Sequence, residues 1–259
     1  MAERTQIRRG VGLAVAAALS FGVTVPLLKV ASAGAGVFTA GALLYLGAAA
    51  AAGVVVAVRR RPGRGGPVRA GIVARLIGVA VLGAVCAPAL LVAGVKRTDA
   101  VTTSLLLTLE APFTMLLARL VFHEHLGRRA LAAAALVLVG AMLVAAPSGA
   151  VGPARVGAAF VAAAMLAWAC DNAVSRTLAD RDPVSVVAWK GLLGGMLSAA
   201  VAVVSGEGLP SPGTAFALAG IGAVGYGLSL LCYLRAQAVM GAARTASGRR
   251  RTHASKGQQ

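Results

Sequence analysis

Eight long apolar runs, separated by short polar connections, take up most of this chain of 259 residues. About 20 apolar residues in a helix cross the hydrocarbon core of a bilayer, and the runs are close to that length. They occupy residues 11–31, 37–58, 72–95, 100–122, 130–146, 156–177, 184–205 and 214–240. The pattern predicts an all-α polytopic membrane protein with eight transmembrane helices.

The composition excludes the ordinary soluble classes of protein. Hydrophobic residues make up 58% of the chain and charged residues 13%, whereas a soluble domain carries roughly a quarter charged residues. A disordered chain would need few apolar residues and many charges. The three cysteines lie inside apolar runs without paired spacing, so neither a disulfide framework nor a metal site is expected.

The net charge of +17 indicates topology rather than a nucleic-acid partner. With a cytoplasmic N-terminus, 17 of the 25 Lys and Arg residues fall on the cytoplasmic side, and Lys96, Arg97 and Arg155 fall on the other. Such a bias is typical of membrane proteins. We therefore expect a multi-pass protein of the cytoplasmic membrane, with both termini in the cytoplasm and the lipid bilayer as its surroundings.

Two pairs of short matches indicate an internal repeat. Phe21-Gly22 with Lys29 corresponds to Trp168-Ala169 with Arg176, at an offset of 147 residues. The GAV strings at 83–85 and 222–224 recur at an offset of about 140. A five-helix unit used twice has inverted topology in its second copy, a common transporter design. This predicts a first repeat at 11–147 and a second at 155–245 that holds three helices, followed by a basic polar cytoplasmic tail at 246–259.

Several motifs resemble the EamA-type repeat of the drug/metabolite transporter superfamily. In the first half they are LEAPFT at 109–114, LVFHEHLGRR at 120–129 and Gly140; in the second half they are WACDN at 168–172, Arg176, Lys190-Gly191, GYGLSL at 225–230 and GAART at 241–245. The resemblance implies a ten-helix inverted-repeat carrier that moves small metabolites or drugs by alternating access.

The chain departs from the family pattern at two places. Ala132 and Ala133 stand where relatives usually have a glycine. After GAART the family continues into a ninth helix, whereas this chain becomes basic and polar, so we expect a frameshift or truncation near Ala246. The alternative to a working carrier is therefore a truncated, inactive or assembly-dependent membrane protein without transport activity of its own.

Glu110 is the first candidate functional residue, because it lies ten residues into the fourth run, roughly 15 Å deep. An ionisable group at that depth is costly and is by default a functional candidate. A desolvated carboxyl there could bind and release a proton for coupling, or contact substrate. The alternative is a structural carboxyl that is hydrogen-bonded to neighbouring helices. Pro112 breaks the helix nearby and frees a carbonyl, which supports either a site or a kink.

Asp171 and Lys190 form the second candidate set. Both lie about 9 Å deep on neighbouring antiparallel spans, and this equal depth permits an ion pair. The pair either fixes the helical hairpin or contributes to substrate binding or gating, with Asn172 as an added hydrogen-bonding group.

Three other patterns are given structural interpretations. The GxGxxG string at 220–225 lies in an apolar helix, so it predicts close helix packing rather than a dinucleotide site. The glycines of Gly191, Gly194 and Gly195 either pack internally or support a homodimer. The HEH string at 123–125 lacks the helical spacing of zinc ligands, and no nucleophile and base pairing is visible. We therefore expect neither a cofactor nor enzymatic activity.

Overall fold

The computed structural model describes residues 2–58, 77–78, 81–121, 123, 126–145, 152–175, 182–232 and 235–236. Within those residues, every regular element is helical. The α-helices are α1 (Ala2–Gly22), α2 (Thr24–Ala31), α3 (Val37–Val58), α4 (Ala87–Arg97), α5 (Ala100–Leu106), α6 (Glu110–Leu120), α7 (Arg128–Ala145), α8 (Pro153–Ser175), α9 (Pro183–Val204) and α10 (Pro212–Ile221). Two π-helices, Val81–Cys86 and Gly222–Leu228, precede α4 and follow α10.

Six helical segments of the described chain are long and apolar enough to cross a membrane. They are Arg8–Gly34, Val37–Val58, Ala100–Leu120, Pro153–Val174, Val184–Val204 and Pro212–Cys232. Large apolar side chains such as Leu136, Leu143, Val204 and Phe216 are mostly exposed on the outside, which is the surface that lipid tails solvate. The prediction of an all-helical, multi-pass membrane protein is confirmed.

The structure does not establish the predicted count of eight spans. Of the third run, 72–95, residues 72–76 and 79–80 lie outside the described residues, and the part from Val81 onward is helical. The fifth run, 130–146, falls on α7, a helix of 18 residues. Three other predictions concern residues outside the described part of the chain. They are the tail at 246–259, the frameshift or truncation near Ala246, and the repeat match at Arg176.

Prolines locate two breaks within the spans. A proline has no N–H and its ring crowds the carbonyl four residues before it, so a helix distorts at that point. Pro26 stands four residues after Gly22, where α1 ends. Pro112 stands four residues after Thr108, which lies in a short 3₁₀ turn, Leu107–Leu109, between α5 and α6. The fourth span is therefore interrupted just before Glu110.

At one end of the helical assembly, two lysine side chains bind backbone carbonyls of neighbouring segments. Lys29 Nζ donates hydrogen bonds to the carbonyl oxygens of Val95 and Thr98, the latter at 2.6 Å. Lys96 donates to the carbonyl oxygen of Ala35. These contacts join the last turn of α2 and the loop after it to the end of α4, and we call this end of the molecule the Lys29 end.

Glu207 brings the loop between α9 and α10 to the same end, where it caps α3. Its Oε2 accepts hydrogen bonds from the backbone N–H of Thr39 at 2.7 Å and from the Thr39 hydroxyl at 2.9 Å, and its Oε1 accepts from the N–H of Phe38 at 3.2 Å. Gly36 lies against this carboxylate, and a Cβ at that position would overlap the Glu207 side chain as it is placed in the cap. Burial by itself would raise the pKa of Glu207, but the hydrogen bonds from Thr39 and Phe38 outweigh it and lower the pKa from its ordinary value.

Helix α3 lies at the centre of the assembly, against α9, α10 and the second π-helix. Small residues allow the close approach of these helices, as is usual in membranes. Gly222 packs on the backbone of Leu44, and Gly191 and Gly195 pack on Tyr45 and Leu46. The GxGxxG string therefore lies in helical packing, and the Gly191, Gly194 and Gly195 group packs inside the chain.

Candidate functional site

Glu110 is the first residue of α6, and its side chain faces α8. Its Oε1 accepts a 2.6 Å hydrogen bond from Nδ2 of Asn172. The Thr114 hydroxyl donates to the Glu110 backbone carbonyl at 2.8 Å. Pro112 is buried two residues further along α6, so the interruption that it imposes on the span lies directly beside this carboxyl. Among the described residues, no lysine or arginine forms an ion pair with Glu110.

Asp171 and Lys190 form an ion pair between α8 and α9. The Asp171 side chain is 1% exposed and that of Lys190 is 15% exposed. Taking a charge from water into such an environment is costly unless it is paired. The ammonium of Lys190 therefore stabilises the buried carboxylate, which is the contact that their equal depth permits.

Gly83, in the first π-helix, lies against Asp171 of this pair. A Cβ on Gly83 would overlap the Asp171 carboxylate. The Gly83 carbonyl accepts hydrogen bonds from the Tyr45 hydroxyl and, at 2.8 Å, from Nε1 of Trp168. Side chains from α3 and α8 thus converge on one backbone group.

Pro88 explains why two carbonyls of the π-helix accept bonds from side chains. It stands five residues after Gly83 and four after Ala84, the positions that supply the backbone donor in a π-turn and in an α-turn. A proline supplies no N–H at either position. Tyr45 and Trp168 satisfy Gly83, and the Ser198 hydroxyl donates to the Ala84 carbonyl at 3.2 Å.

Another aromatic side chain, Tyr226, packs on Tyr45 and Trp168. The Tyr226 ring, in the second π-helix, contacts the rings of Tyr45, Trp168 and Phe21, with centroids 5.6, 5.9 and 6.1 Å away. All three distances are in the range of favourable ring pairs. The buried Tyr226 hydroxyl has no hydrogen-bond partner among the described residues.

These residues form one assembly, which we call the Glu110 cluster. Asn172, the partner of Glu110, is the chain neighbour of Asp171, and Asp171 pairs with Lys190 and lies against Gly83. Gly83 binds Tyr45 and Trp168, on which the Tyr226 ring packs. The cluster comprises Glu110, Asn172, Asp171, Lys190, Gly83, Tyr45, Trp168 and Tyr226. All four polar residues singled out in the sequence therefore come together.

Sequence reasoning did not assign Tyr45 or Tyr226 to the cluster. The sequence does contain an indication of both, because each carries a hydroxyl inside a long apolar run. A buried tyrosine hydroxyl usually has a hydrogen-bond partner. Gly83 entered the sequence analysis only as a marker of the repeat, and Trp168 as a marker of the repeat and part of the WACDN motif. Within the described chain, no group of three or more His, Cys, Asp or Glu side chains could hold a metal ion.

The comparisons with known proteins agree with this architecture. The model of the EamA-like transporter family matches residues 8–146 and again residues 155–247. A search of curated proteins finds no match. A solved structure, titled only "Crystal structure of protein", aligns with a TM-score of 0.57 and 19% identity, covering 92% of this chain and 88% of the other; this likeness shows the fold alone.

The two family matches together cover most of the chain. They confirm the resemblance found in the sequence and the prediction of a membrane transporter rather than an enzyme, and they imply a small-molecule substrate. The chain belongs to the EamA-like transporter family.

Proposed function

We propose that the protein is a secondary carrier that moves a small metabolite or drug across the cytoplasmic membrane by alternating access. The observation that carries this proposal is the hydrogen bond between Asn172 and Glu110 beside the Asp171–Lys190 pair. Glu110 lies in the first stretch matched by the family model and the other three residues lie in the second. The Glu110 cluster thus spans the boundary between the two halves, where transporters built from repeats bind their substrates.

The mechanism that we propose is a rocking of two inverted repeats about this cluster. Three observations support it. The family model matches twice. The span beginning at Arg8 ends at the Lys29 end, whereas the N-terminal turn of α8 packs there, with Gly157 against Gly94 and Arg97. The rare π-helices fall on the two GAV strings, at 83–85 and 222–224. These observations support a second half that is inverted relative to the first and that shares an unusual element with it.

Glu110 is the group that we assign to proton coupling. Its partner in the cluster, Asn172, is a neutral amide, whereas Asp171 is held by the ammonium of Lys190. The Asn172 N–H can donate to the carbonyl oxygen of a protonated acid as well as to a carboxylate. Glu110 can therefore gain and lose a proton without losing its support from α8, and Asp171 remains a paired, charged group.

In the orientation that we propose, both termini are cytoplasmic and the Lys29 end faces outward. The distribution of Lys and Arg between the two sides supports this assignment. A cysteine at Leu209, which is 96% exposed in the loop between α9 and α10 at this end, should react with a membrane-impermeant maleimide from outside intact cells. Reaction only after the cells are opened would reverse the orientation.

Transport by the purified 259-residue chain tests the function. We expect counterflow of at least one solute from a panel of small metabolites and drugs in proteoliposomes. Glu110→Gln should lose pH-driven flux, and Asp99→Asn, a matched change at a carboxyl outside the spans, should retain it. A folded chain that moves no solute in either direction, in counterflow or under a pH gradient, would contradict the proposal.

A further inference from the structure

A groove opens to the membrane between α5, α6, α7 and α8. Its volume is about 570 Å³. One wall is formed by Leu106, Leu109 and Phe113, and the facing wall includes Leu138 and Met142 of α7. Among the described residues that line the groove, the charged one is Arg155, in the first turn of α8. The groove is thus an apolar channel with a cation at its mouth.

The depth of the groove matches one leaflet of a bilayer. Ala162, which lies furthest along α8 among the lining residues, follows Arg155 by seven residues, or about 10 Å of helix. Leu138 precedes the end of α7 by the same number of residues, so the facing wall covers the same depth. Half of the hydrocarbon core is about 15 Å thick. The groove therefore runs from the Lys29 end toward the midplane, through a single leaflet.

The charge at the mouth is positive. Arg155 supplies this charge. Arg97 lies at the same end of the molecule but on residues of α8 that do not line the groove, with its guanidinium over the Phe160 ring, 5.3 Å from the centroid, and its side chain against Gly157. The N-terminus of α8 adds the positive end of the helix dipole. In the part of the chain that the structure describes, no carboxylate pairs with Arg155. Of the acids at this end, Asp99 caps α5 through the Thr102 N–H and Glu207 caps α3.

We propose that this groove binds one phospholipid with a net negative headgroup, with its phosphate on Arg155 and one acyl chain along the wall formed by Leu106, Leu109 and Phe113. The planar guanidinium binds phosphate oxygens through paired hydrogen bonds. Ethanolamine and choline headgroups place a cation next to the phosphate, and the Arg155 guanidinium would repel that cation. A glycerol headgroup carries no such cation, so phosphatidylglycerol fits the mouth better. The bound lipid fills the gap between α7 and its neighbours, and this role does not depend on transport.

Native mass spectrometry of the full chain, purified in a neutral detergent, tests the proposal. The wild-type protein is offered phosphatidylglycerol and phosphatidylcholine with identical acyl chains. We expect retention of phosphatidylglycerol to exceed that of phosphatidylcholine about tenfold, as expected for a charge-assisted contact, and Arg155→Gln to remove most of this preference. Arg128→Gln, at the opposite end of α7, is the matched control and should keep it.

A thermal shift measurement distinguishes a bound lipid from a bound anion. Phosphatidylglycerol should raise the unfolding temperature of the wild-type protein more than phosphatidylcholine does, and inorganic phosphate should not reproduce the effect. An equal response to inorganic phosphate would overturn the lipid assignment. Equal retention of the two lipids by the wild-type protein would overturn the proposal whether or not the Arg155 variant folds, and so would an unchanged preference in a folded Arg155→Gln protein.

Discussion

Nδ2 of Asn172 donates a 2.6 Å hydrogen bond to Oε1 of Glu110, and this bond joins the start of α6 to α8. It is a contact between the two stretches of the chain that the family model matches separately. One residue away, Asp171 is tied to Lys190 of α9. Two acids in the same region therefore have different partners, one neutral and one charged, and this difference is the basis for assigning them different roles.

The Asp171–Lys190 pair should behave as a stabilising unit. Asp171→Asn leaves the Lys190 ammonium without its charged partner, and we expect a loss of about 3 kcal/mol, because breaking a buried pair exposes an uncompensated charge. The double change Asp171→Asn with Lys190→Met should recover much of that loss. Unfolding temperatures in detergent measure both effects. If the double variant is no more stable than Asp171→Asn alone, the pair is not the reason for the loss.

The two donors to the Gly83 carbonyl should be mutually redundant. Trp168→Phe leaves the Tyr45 hydroxyl in place, so its cost should be small. Adding Tyr45→Phe leaves a buried carbonyl unsatisfied, which costs about 1–3 kcal/mol, because Pro88 provides no backbone donor. Trp189→Phe is the matched control, since that side chain is 59% exposed. Strictly additive losses in the two single variants and the double variant would contradict this account.

The stabilisation that the Glu207 cap gives to α3 should depend on pH. The pKa of Glu207 is lowered in the folded protein, so the ionised carboxylate stabilises the fold above the ordinary glutamate pKa of 4.5. That contribution is lost as the pH falls through the lower folded value. We expect Glu207→Gln to cost about 1 kcal/mol at neutral pH, as the loss of a helix cap does, and the difference from the wild type to shrink below about pH 4.5.

Unfolding temperatures of both proteins, measured from neutral pH to well below the ordinary glutamate pKa of 4.5, measure this effect. A wild-type advantage that grows on acidification would show that the capping carboxylate is not the stabilising form. Asp99→Asn, at the α5 cap of the same end, provides a comparison, because the Thr102 hydrogen bonds lower the pKa of Asp99 as well.

The spans and the charged candidates could be predicted from the sequence because each depends on a local property. In lipid, a run of about 20 apolar residues must form a helix, because the helix satisfies the hydrogen bonds of its backbone N–H and C=O groups. Charged residues inside such runs are rare, and for this reason Glu110, Asp171 and Lys190 could be recognised as candidates. The equal depth of Asp171 and Lys190 also permitted the pair that is observed.

The remaining features depend on contacts between distant parts of the chain. The partner of Glu110 is 62 residues away, and no helical periodicity relates the two positions. The π-helices are a further example. Pro88 indicates that a backbone bond is missing, but only the folded chain shows that Tyr45 and Trp168 replace it at Gly83. Lys29 is likewise apparent in the sequence only as a charge near the end of an apolar run, and the folded chain shows that it binds the carbonyls of Val95 and Thr98 at the end of α4.

The most direct test of the account is the dependence of solute flux on the pH gradient in proteoliposomes, for the wild-type protein and Glu110→Gln side by side. Insertion and unfolding temperature establish that both proteins are intact. The account predicts that an imposed pH gradient drives solute accumulation through the wild-type protein and not through Glu110→Gln. Equal gradient-driven accumulation by the two proteins would contradict the assignment of Glu110 as the coupling group.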